Sequence, residues 1–242
     1  MALPASGNPL SLSQIQGEFG DVNPISLSEY YSAHSSVPSI GNPLSISDFY
    51  GLSDVVTFTY EVIGGGGGGG HGFDGGANGT AAPNGTNTAI FKPFYFTVAV
   101  SSGAQGGRSG VFHPGTDTTD KDGDASYYGA GGTRGTNTNP GFGANAPSSS
   151  YGAGGGGGGG DLSNNKLDST GYTGEGGGAA TRSSGSYTVP SGTSLTVTVG
   201  SGGAGAFHGS YKGGDGAGGF ARITYGGNNY DFTSSSTITI TG

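Results

Sequence analysis

The stretch VVTFTYEVIGGGGGGG, residues 55–70, joins an alternating apolar pattern directly to seven consecutive glycines. Apolar side chains occupy every second position from Val56 to Val62, which is the pattern of a strand with one buried face. Seven glycines can form a flexible linker, or a three-residue-per-turn helix of the polyproline II type that bonds laterally to its neighbours. Because the run follows a strand without a break, the sequence favours packed helices, with a linker as the alternative. The same choice applies to the second run, residues 154–160.

Alternation recurs in four more segments downstream, at residues 91–100, 194–199, 220–225 and 237–241. Strands with one polar and one apolar face are typical of antiparallel sheets. Pro93 is expected at the start or the edge of its strand, because proline has no amide proton to give to a ladder. The predicted fold is mainly β. A β-sandwich-like, glycine-rich domain with polyglycine II-type segments covers residues 55–242, and an N-terminal arm of short capped helices covers residues 1–54.

The arm repeats one phrase three times, as NPLSLSQI at 8–15, NPISLSEY at 23–30 and NPLSISDF at 42–49. In each copy a serine precedes Gln, Glu or Asp by three residues, which is the spacing of a helix capping box. Apolar residues also flank each cap at the spacing of a hydrophobic staple. These staple pairs are Leu10 with Ile15, Ile25 with Tyr30, and Leu44 with Phe49.

Each copy has few apolar side chains, too few to hold a short helix in water without a surface to pack on. Two interpretations follow for residues 1–54. The segment is either a small cap packed on the rest of the chain, or a docking arm whose staple residues bury against another protein. The docking arm is favoured, because the glycine-rich part offers little apolar helical surface.

Composition excludes several classes of function. The chain has 242 residues with 57 glycines, 10% charged residues and a net charge of −8, which disfavours nucleic acid and anionic membrane surfaces as partners. There is no cysteine, so disulfides and thiol chemistry are absent. No apolar run approaches the roughly 20 residues of a membrane span, and the first ten residues lack the pattern of a secretory signal. No nucleophile, metal or phosphate-loop motif is present, so neither an enzyme nor a cofactor is expected.

Two parts of the sequence resemble bacteriophage tail proteins. ALPASGNPLSLSQIQGEFG, residues 2–20, is similar to the opening of many phage tail and fibre proteins, through residues 10–15 and 18–20. SYTVPSGTSLTVTVGSGGAGAF and GGDGAGGFARITY, residues 186–207 and 213–225, resemble the glycine-rich domain of phage tail and receptor-binding proteins. In the T-even-like tip adhesins, glycine-rich helices form a rigid sandwich whose connecting loops touch the host receptor.

The resemblance implies a virion structural protein of the tail, associated with fibre or baseplate, that acts as an adhesin on the host surface. The partners it implies are other tail proteins, through residues 1–54, and a host-surface glycan or outer-membrane protein. A homo-oligomer such as a trimer stays open. The alternatives are a passive tail, neck or fibre-joining component without receptor contact, and an ice- or polysaccharide-binding module.

The candidate contact residues lie in the irregular segment from about 101 to 151, because binding residues concentrate on loops carried by rigid scaffolds. Tyr127, Tyr128 and Phe142 are expected to place their rings against a receptor, with packing over glycine layers as the alternative. Asp120, Asp122 and Asp124 alternate as at the start of a calcium loop. Ala125 and Gly131 then stand where an EF-hand needs glycine and glutamate, so a solvated loop is the favoured interpretation and a cation site the weaker one.

Overall fold

The structure is a computed structural model that describes residues 3–20, 26–34, 36–52, 55–71, 81–93, 96–109, 111–112, 123–133, 142–155, 157, 172–208 and 211–241. The chain divides into two compact units. One comprises Met1–Phe58, Thr188–Thr193 and Thr239–Gly242, and the other comprises Thr59–Tyr187 and Ser194–Ile238.

The described chain begins with three short helices and continues with twelve strands. The helices are α1 at Leu12–Phe19 and two 3₁₀ turns at Leu27–Tyr30 and Ile46–Phe49. The first six strands are β1 Val55–Ile63, β2 Thr88–Lys92, β3 Phe96–Ser101, β4 Val111–Phe112, β5 Tyr172–Thr173 and β6 Arg182–Pro190. The other six are β7 Thr193–Thr198, β8 Phe207–His208, β9 Tyr211–Lys212, β10 Phe220–Tyr225, β11 Asn228–Phe232 and β12 Ser236–Ile240.

Two four-stranded sheets contain eight of these strands, in the orders β11-β10-β1-β6 and β12-β7-β2-β3. The described pairings are antiparallel, so the prediction of a mainly β, antiparallel fold is confirmed. Alternate residues of the strands are buried, among them Val62 and Ile223 in the first sheet and Ile90 and Leu195 in the second. Strands β10 and β2 are in contact, and this contact joins the two sheets.

The single strand predicted over residues 91–100 is wrong. Strand β2 ends at Lys92 and β3 begins at Phe96, and the two pair as a hairpin in which Lys92 faces Phe96. Pro93 follows β2 directly, and a residue without an amide proton cannot continue a ladder. The pattern also missed β11, whose sequence NNYDF is mostly polar. Gly226 and Gly227, both with positive φ, turn β10 back into this strand.

The predicted caps form in all three N-terminal repeats. The backbone amides of Ser11, Ser26 and Ser45 donate to the side chains of Gln14, Glu29 and Asp48 at 2.8, 2.9 and 2.7 Å. Only the first repeat extends into an α-helix, of eight residues, while the other two form 3₁₀ turns of four residues. The cap spacing therefore fixes where each helix begins but not how long it becomes.

The second residue of each staple pair packs into a shared cluster rather than pointing outward. Ile15, Tyr30 and Phe49, one from each copy, are buried in one cluster with Leu3 and Val37. The rings of Tyr30 and Phe49 meet edge to face, with centroids 6.2 Å apart. Each copy does pack on a surface beyond itself, and that surface is supplied by the other two copies.

The first glycine run forms the centre of a bundle of extended segments. From Gly65 onward, three successive amides donate to three different neighbouring segments, and the next three amides donate to the same segments in the same order. The acceptors, in chain order, are the carbonyl groups of Thr86, Ala217, Gly178, Pro83, Gly214 and Glu175. A repeat of three residues is that of a polyproline II-type helix.

The carbonyl groups of the same run bond to three further segments. Those of residues 65–69 accept, in order, from the amides of Ala104, Gly203, Gly155, Gly107 and Ala206. The central segment thus has six hydrogen-bonded neighbours, and the described part of the second glycine run, through Gly155, is one of them. A Cβ on Gly67 would overlap the carbonyl of Gln105, so the close packing depends on glycine.

Candidate binding surfaces of the glycine bundle

A tight turn at one end of the bundle carries both candidate tyrosines. Ser126 and Gly129 bond to each other through their backbones, with the Ser126 amide 2.9 Å from the Gly129 carbonyl. The Ser126 hydroxyl donates to the Ser150 carbonyl and accepts from the Tyr128 amide. We call residues 126–129 the tyrosine turn. These bonds fix its two central side chains in different directions.

Tyr128 points into the fold. Its ring lies 5.5 Å from that of Tyr151 and 5.2 Å from that of Phe220, measured between centroids. Its hydroxyl donates to Glu61 at 2.9 Å. Burial, together with the hydrogen bond to Glu61 and the negative charge of Glu61, raises the pKa of Tyr128 to about 12. Tyr128 is half-buried and packs against these rings, which favours the alternative interpretation of a packing residue.

Tyr127 points outward. Its side chain is 68% exposed. The Arg182 guanidinium lies 4.5 Å from the centroid of its ring, a cation–π distance. The Tyr127 ring is therefore both accessible and held in place, which are the properties expected of a contact residue.

Four charged residues cross the first sheet in a row that alternates in sign. Asp231 on β11 pairs with Arg222 on β10, Arg222 lies beside Glu61 on β1, and Glu61 bonds to Arg182 on β6. We call these four residues the charged ladder. Arg222 contacts Asp231 through Nε at 2.6 Å and Nη2 at 2.7 Å. Arg182 contacts Glu61 through Nε at 2.8 Å and Nη2 at 3.1 Å.

Both carboxylates of the ladder stay ionised to lower pH than usual. Burial raises the pKa of Glu61, but hydrogen bonds from Arg182 and Tyr128 and the charges of Arg182 and Arg222 outweigh it, so the pKa is lowered. The hydrogen bond from Arg222 lowers the pKa of Asp231, against a smaller effect of burial. The ladder therefore holds two positive and two negative charges at neutral pH and has no net charge.

A groove of about 350 Å³ opens on the same face of the first sheet. It is lined by the ladder residues Glu61, Arg182 and Arg222, by Tyr60 and Gly185, and by three residues with hydroxyl side chains. The hydroxyl side chains are Thr59, Ser184 and Thr224. Thr224 donates its hydroxyl to Asn229 at 2.7 Å. This groove was not predicted from the sequence, although Thr59 and Glu61 lie on the face of β1 that the pattern marks as polar.

Phe142 lies at the other end of the bundle. Gly143 donates its amide to the carbonyl of Lys212, and Lys212 pairs with Phe207 in the β8–β9 hairpin. This hairpin follows Ala206, which bonds to Gly69 near the end of the first glycine run, whereas the tyrosine turn lies near its beginning. A helix of this type rises about 3.1 Å per residue, so about 15–20 Å of bundle separates the two ends.

The end with the β8–β9 hairpin, which we call the hairpin end, exposes two phenylalanines. Phe142 is 57% and Phe207 is 68% exposed. The predicted trio therefore separates into a half-buried ring and an exposed ring at the tyrosine turn, and an exposed ring at the hairpin end. Phe207 is the partner of Phe142 at that end. The sequence shows Phe207 as one of several aromatic residues in glycine-rich stretches, but nothing in the pattern separates it from the others.

The other predicted site residues are placed as follows. Asp120 and Asp122 lie outside the described residues, and Asp124 is exposed, with its amide bonded to the Gly177 carbonyl. The described part of the chain contains no group of three or more His, Cys, Asp or Glu residues that could hold a metal ion. Ile25 also lies outside the described residues, and Leu10 and Leu44 pack against the buried N-terminal cluster.

Across the described ranges, no helix has the length and apolar character needed to cross a membrane. Comparison of the chain with protein-family models, with curated proteins and with solved structures finds no match.

Proposed function

We propose that the protein is a structural component of a bacteriophage tail and that its glycine-rich unit binds the host cell surface. The observation that carries the proposal is the hairpin end of the bundle. There Phe142 and Phe207 are exposed on backbone segments that bond to the same residue, Lys212. Large rings on a rigid base provide contact area at low entropic cost, which favours recognition of a cell-surface receptor.

The N-terminal unit is the proposed attachment to the virion. Ile15, Tyr30 and Phe49 are buried in its own cluster, so attachment would use side chains that remain exposed. Ile40 is one of them, with 84% of its surface accessible. A single exposed isoleucine is ordinary on a protein surface, so the support for attachment comes mainly from the resemblance of residues 2–20 to phage tail proteins.

A cell-binding assay tests the proposal that the glycine-rich unit is an adhesin. The purified, fluorescently labelled protein is expected to bind the bacterium that the phage infects, and Phe142→Ala combined with Phe207→Ala is expected to lower binding at least tenfold. Phe96→Ala is the matched control, because Phe96 is 60% exposed but lies on β3, away from the bundle. All variants should keep their melting temperature within a few degrees, since exposed rings contribute little to the fold.

The virion assignment is tested separately, by mass spectrometry of particles purified from cultures that carry the gene. Peptides of the chain at a level comparable to other tail proteins would support it, and their absence from the particles would overturn it. If the chain is in the particles but the protein does not bind cells, the proposed adhesin function is wrong, and the alternative of a passive tail component is correct. If the double variant binds as well as the control, the hairpin end is not the contact surface.

A further inference from the structure

We propose that the groove on the first sheet is a second binding site and that it takes an uncharged saccharide unit of a cell-surface glycan. The inference deepens the proposed function and rests on it, because the proposed function says where the glycan comes from. The volume of the groove, about 350 Å³, lies near the lower limit for small-molecule sites, which span about 300–1,000 Å³. A space of this size suits one or two sugar rings.

The charge of the groove selects against an ionic ligand. Each guanidinium of the ladder is already joined to a carboxylate by two hydrogen bonds, Arg182 to Glu61 and Arg222 to Asp231. The positive charges that would attract a carboxylate or phosphate are therefore balanced. An added anion would have to compete with Glu61 and Asp231, and an added cation with the two arginines.

The groups that remain are those that a polyhydroxy compound needs. A guanidinium has five N–H donors, and two of the five on each arginine bond to a carboxylate, which leaves three for a ligand. Thr59 and Ser184 add hydroxyl groups, which both donate and accept. The hydroxyl groups of a sugar also both donate and accept, so a sugar bonds to such a surface without adding charge.

An exposed aromatic face also lies beside the groove. Arg182 lines the groove and stacks on Tyr127, whose ring is exposed beside it. The C–H groups of a sugar ring pack on such a face, while its hydroxyls bond to the arginine edges. The bidentate pairs of the ladder hold both guanidinium groups in place before the ligand arrives, which lowers the entropic cost of binding.

A glycan array and a groove-filling substitution test the proposal. The full-length protein is applied to an array that carries neutral and acidic bacterial oligosaccharides, and saturation-transfer NMR is recorded with methyl glycosides of neutral hexoses and N-acetylhexosamines. Thr59→Trp places a large ring in the groove from an exposed strand position, where tryptophan is well tolerated. It is expected to weaken binding of the neutral glycans at least tenfold. Ser184→Trp, from the neighbouring strand β6, is expected to do the same.

Thr196→Trp is the matched control, because Thr196 is an exposed strand threonine of the other sheet. It should bind as the unsubstituted protein does, within about twofold. The proposal is overturned if the protein binds no neutral saccharide, if it binds only acidic ones, or if both tryptophan variants fold and bind unchanged.

The outcomes separate this proposal from the proposed function. If the protein binds whole cells but not the neutral glycans, the proposal for the groove is wrong and the proposed adhesin function remains supported. If the glycans are bound through the groove but the chain is absent from purified particles, the phage assignment fails and the saccharide site stands.

Discussion

At Tyr128 a single hydroxyl group joins the tyrosine turn to the charged ladder. Its partner Glu61 also holds Arg182, and Arg182 stacks on the ring of Tyr127. The exposed Tyr127 is therefore positioned through the half-buried Tyr128, by way of a carboxylate and a guanidinium. A polar network of this kind is stable only when each of its members has its hydrogen-bonding partners.

Tyr128→Phe removes this hydroxyl and keeps the ring. We expect the free energy of unfolding to fall by about 1.5 kcal/mol at neutral pH, the lower limit for a hydrogen bond to a charged group. Tyr127→Phe is the control, because it removes an exposed hydroxyl, and it should change stability by less than about 0.5 kcal/mol. Urea unfolding followed by circular dichroism measures both.

The same pair of variants gives an alkaline test. The folded pKa of Tyr128, about 12, exceeds its ordinary value of 10.0. The folded state therefore keeps this proton more strongly than the unfolded chain. The stability that this provides is fully present below pH 10 and is lost as the pH rises from about 10 to 12. The difference between the unsubstituted protein and Tyr128→Phe should shrink over that range. A difference that stays constant from pH 8 to pH 11.5 would show that the hydrogen bond to Glu61 is absent.

At the scale of elements, the glycine bundle is a part of the interior that is packed without large apolar side chains. Each segment of the bundle satisfies its backbone by bonding to its neighbours, and the absence of side chains lets the backbones approach closely. The entropic cost of ordering glycine is high. The dense lateral bonding around residues 65–70 offsets that cost.

Gly67→Ala tests how strictly the bundle excludes a methyl group. The added Cβ would overlap the carbonyl of Gln105, which is backbone and cannot rotate away. We expect a loss of about 1–3 kcal/mol, the usual cost of overpacking, measured by urea unfolding. Gly218→Ala is the matched control in the same bundle, because the nearest atom to its Cβ would be the Gly200 carbonyl oxygen at 3.8 Å. Equal stability of the two variants would contradict close packing at Gly67.

Local signals in the sequence predicted the elements better than their contacts. The strand at β1 and the caps at Ser11, Ser26 and Ser45 were predictable, because alternation and capping act over a few residues. The six neighbours of the first glycine run were not, since glycine has no side chain that marks one face from another. Tyr127 and Tyr128 are adjacent and identical in type, so only the fold could assign one to the surface and one to the interior.

At the scale of the whole molecule, the chain builds two units with different kinds of interior. The cluster of the N-terminal unit consists of Leu3, Ile15, Tyr30, Val37 and Phe49, all from the first 52 residues. The second unit relies on two sheets and the glycine bundle. Because the described cluster draws no residue from the bundle, we expect that the N-terminal helices can unfold while the bundle stays folded.

Phe49→Ala tests that independence in the full-length chain. Phe49 is completely buried and meets Phe19 and Tyr30 edge to face. Truncating a buried phenylalanine costs about 3–5 kcal/mol, which is much of the stability that a segment of about 50 residues can reach. Hydrogen exchange followed by mass spectrometry should show lost protection in residues 3–52 and retained protection in residues 64–71. Ile40→Ala, at an exposed position of the same segment, should leave both regions protected. If Phe49→Ala lowers protection in the glycine run as well, the two units unfold together and the independent N-terminal core is wrong.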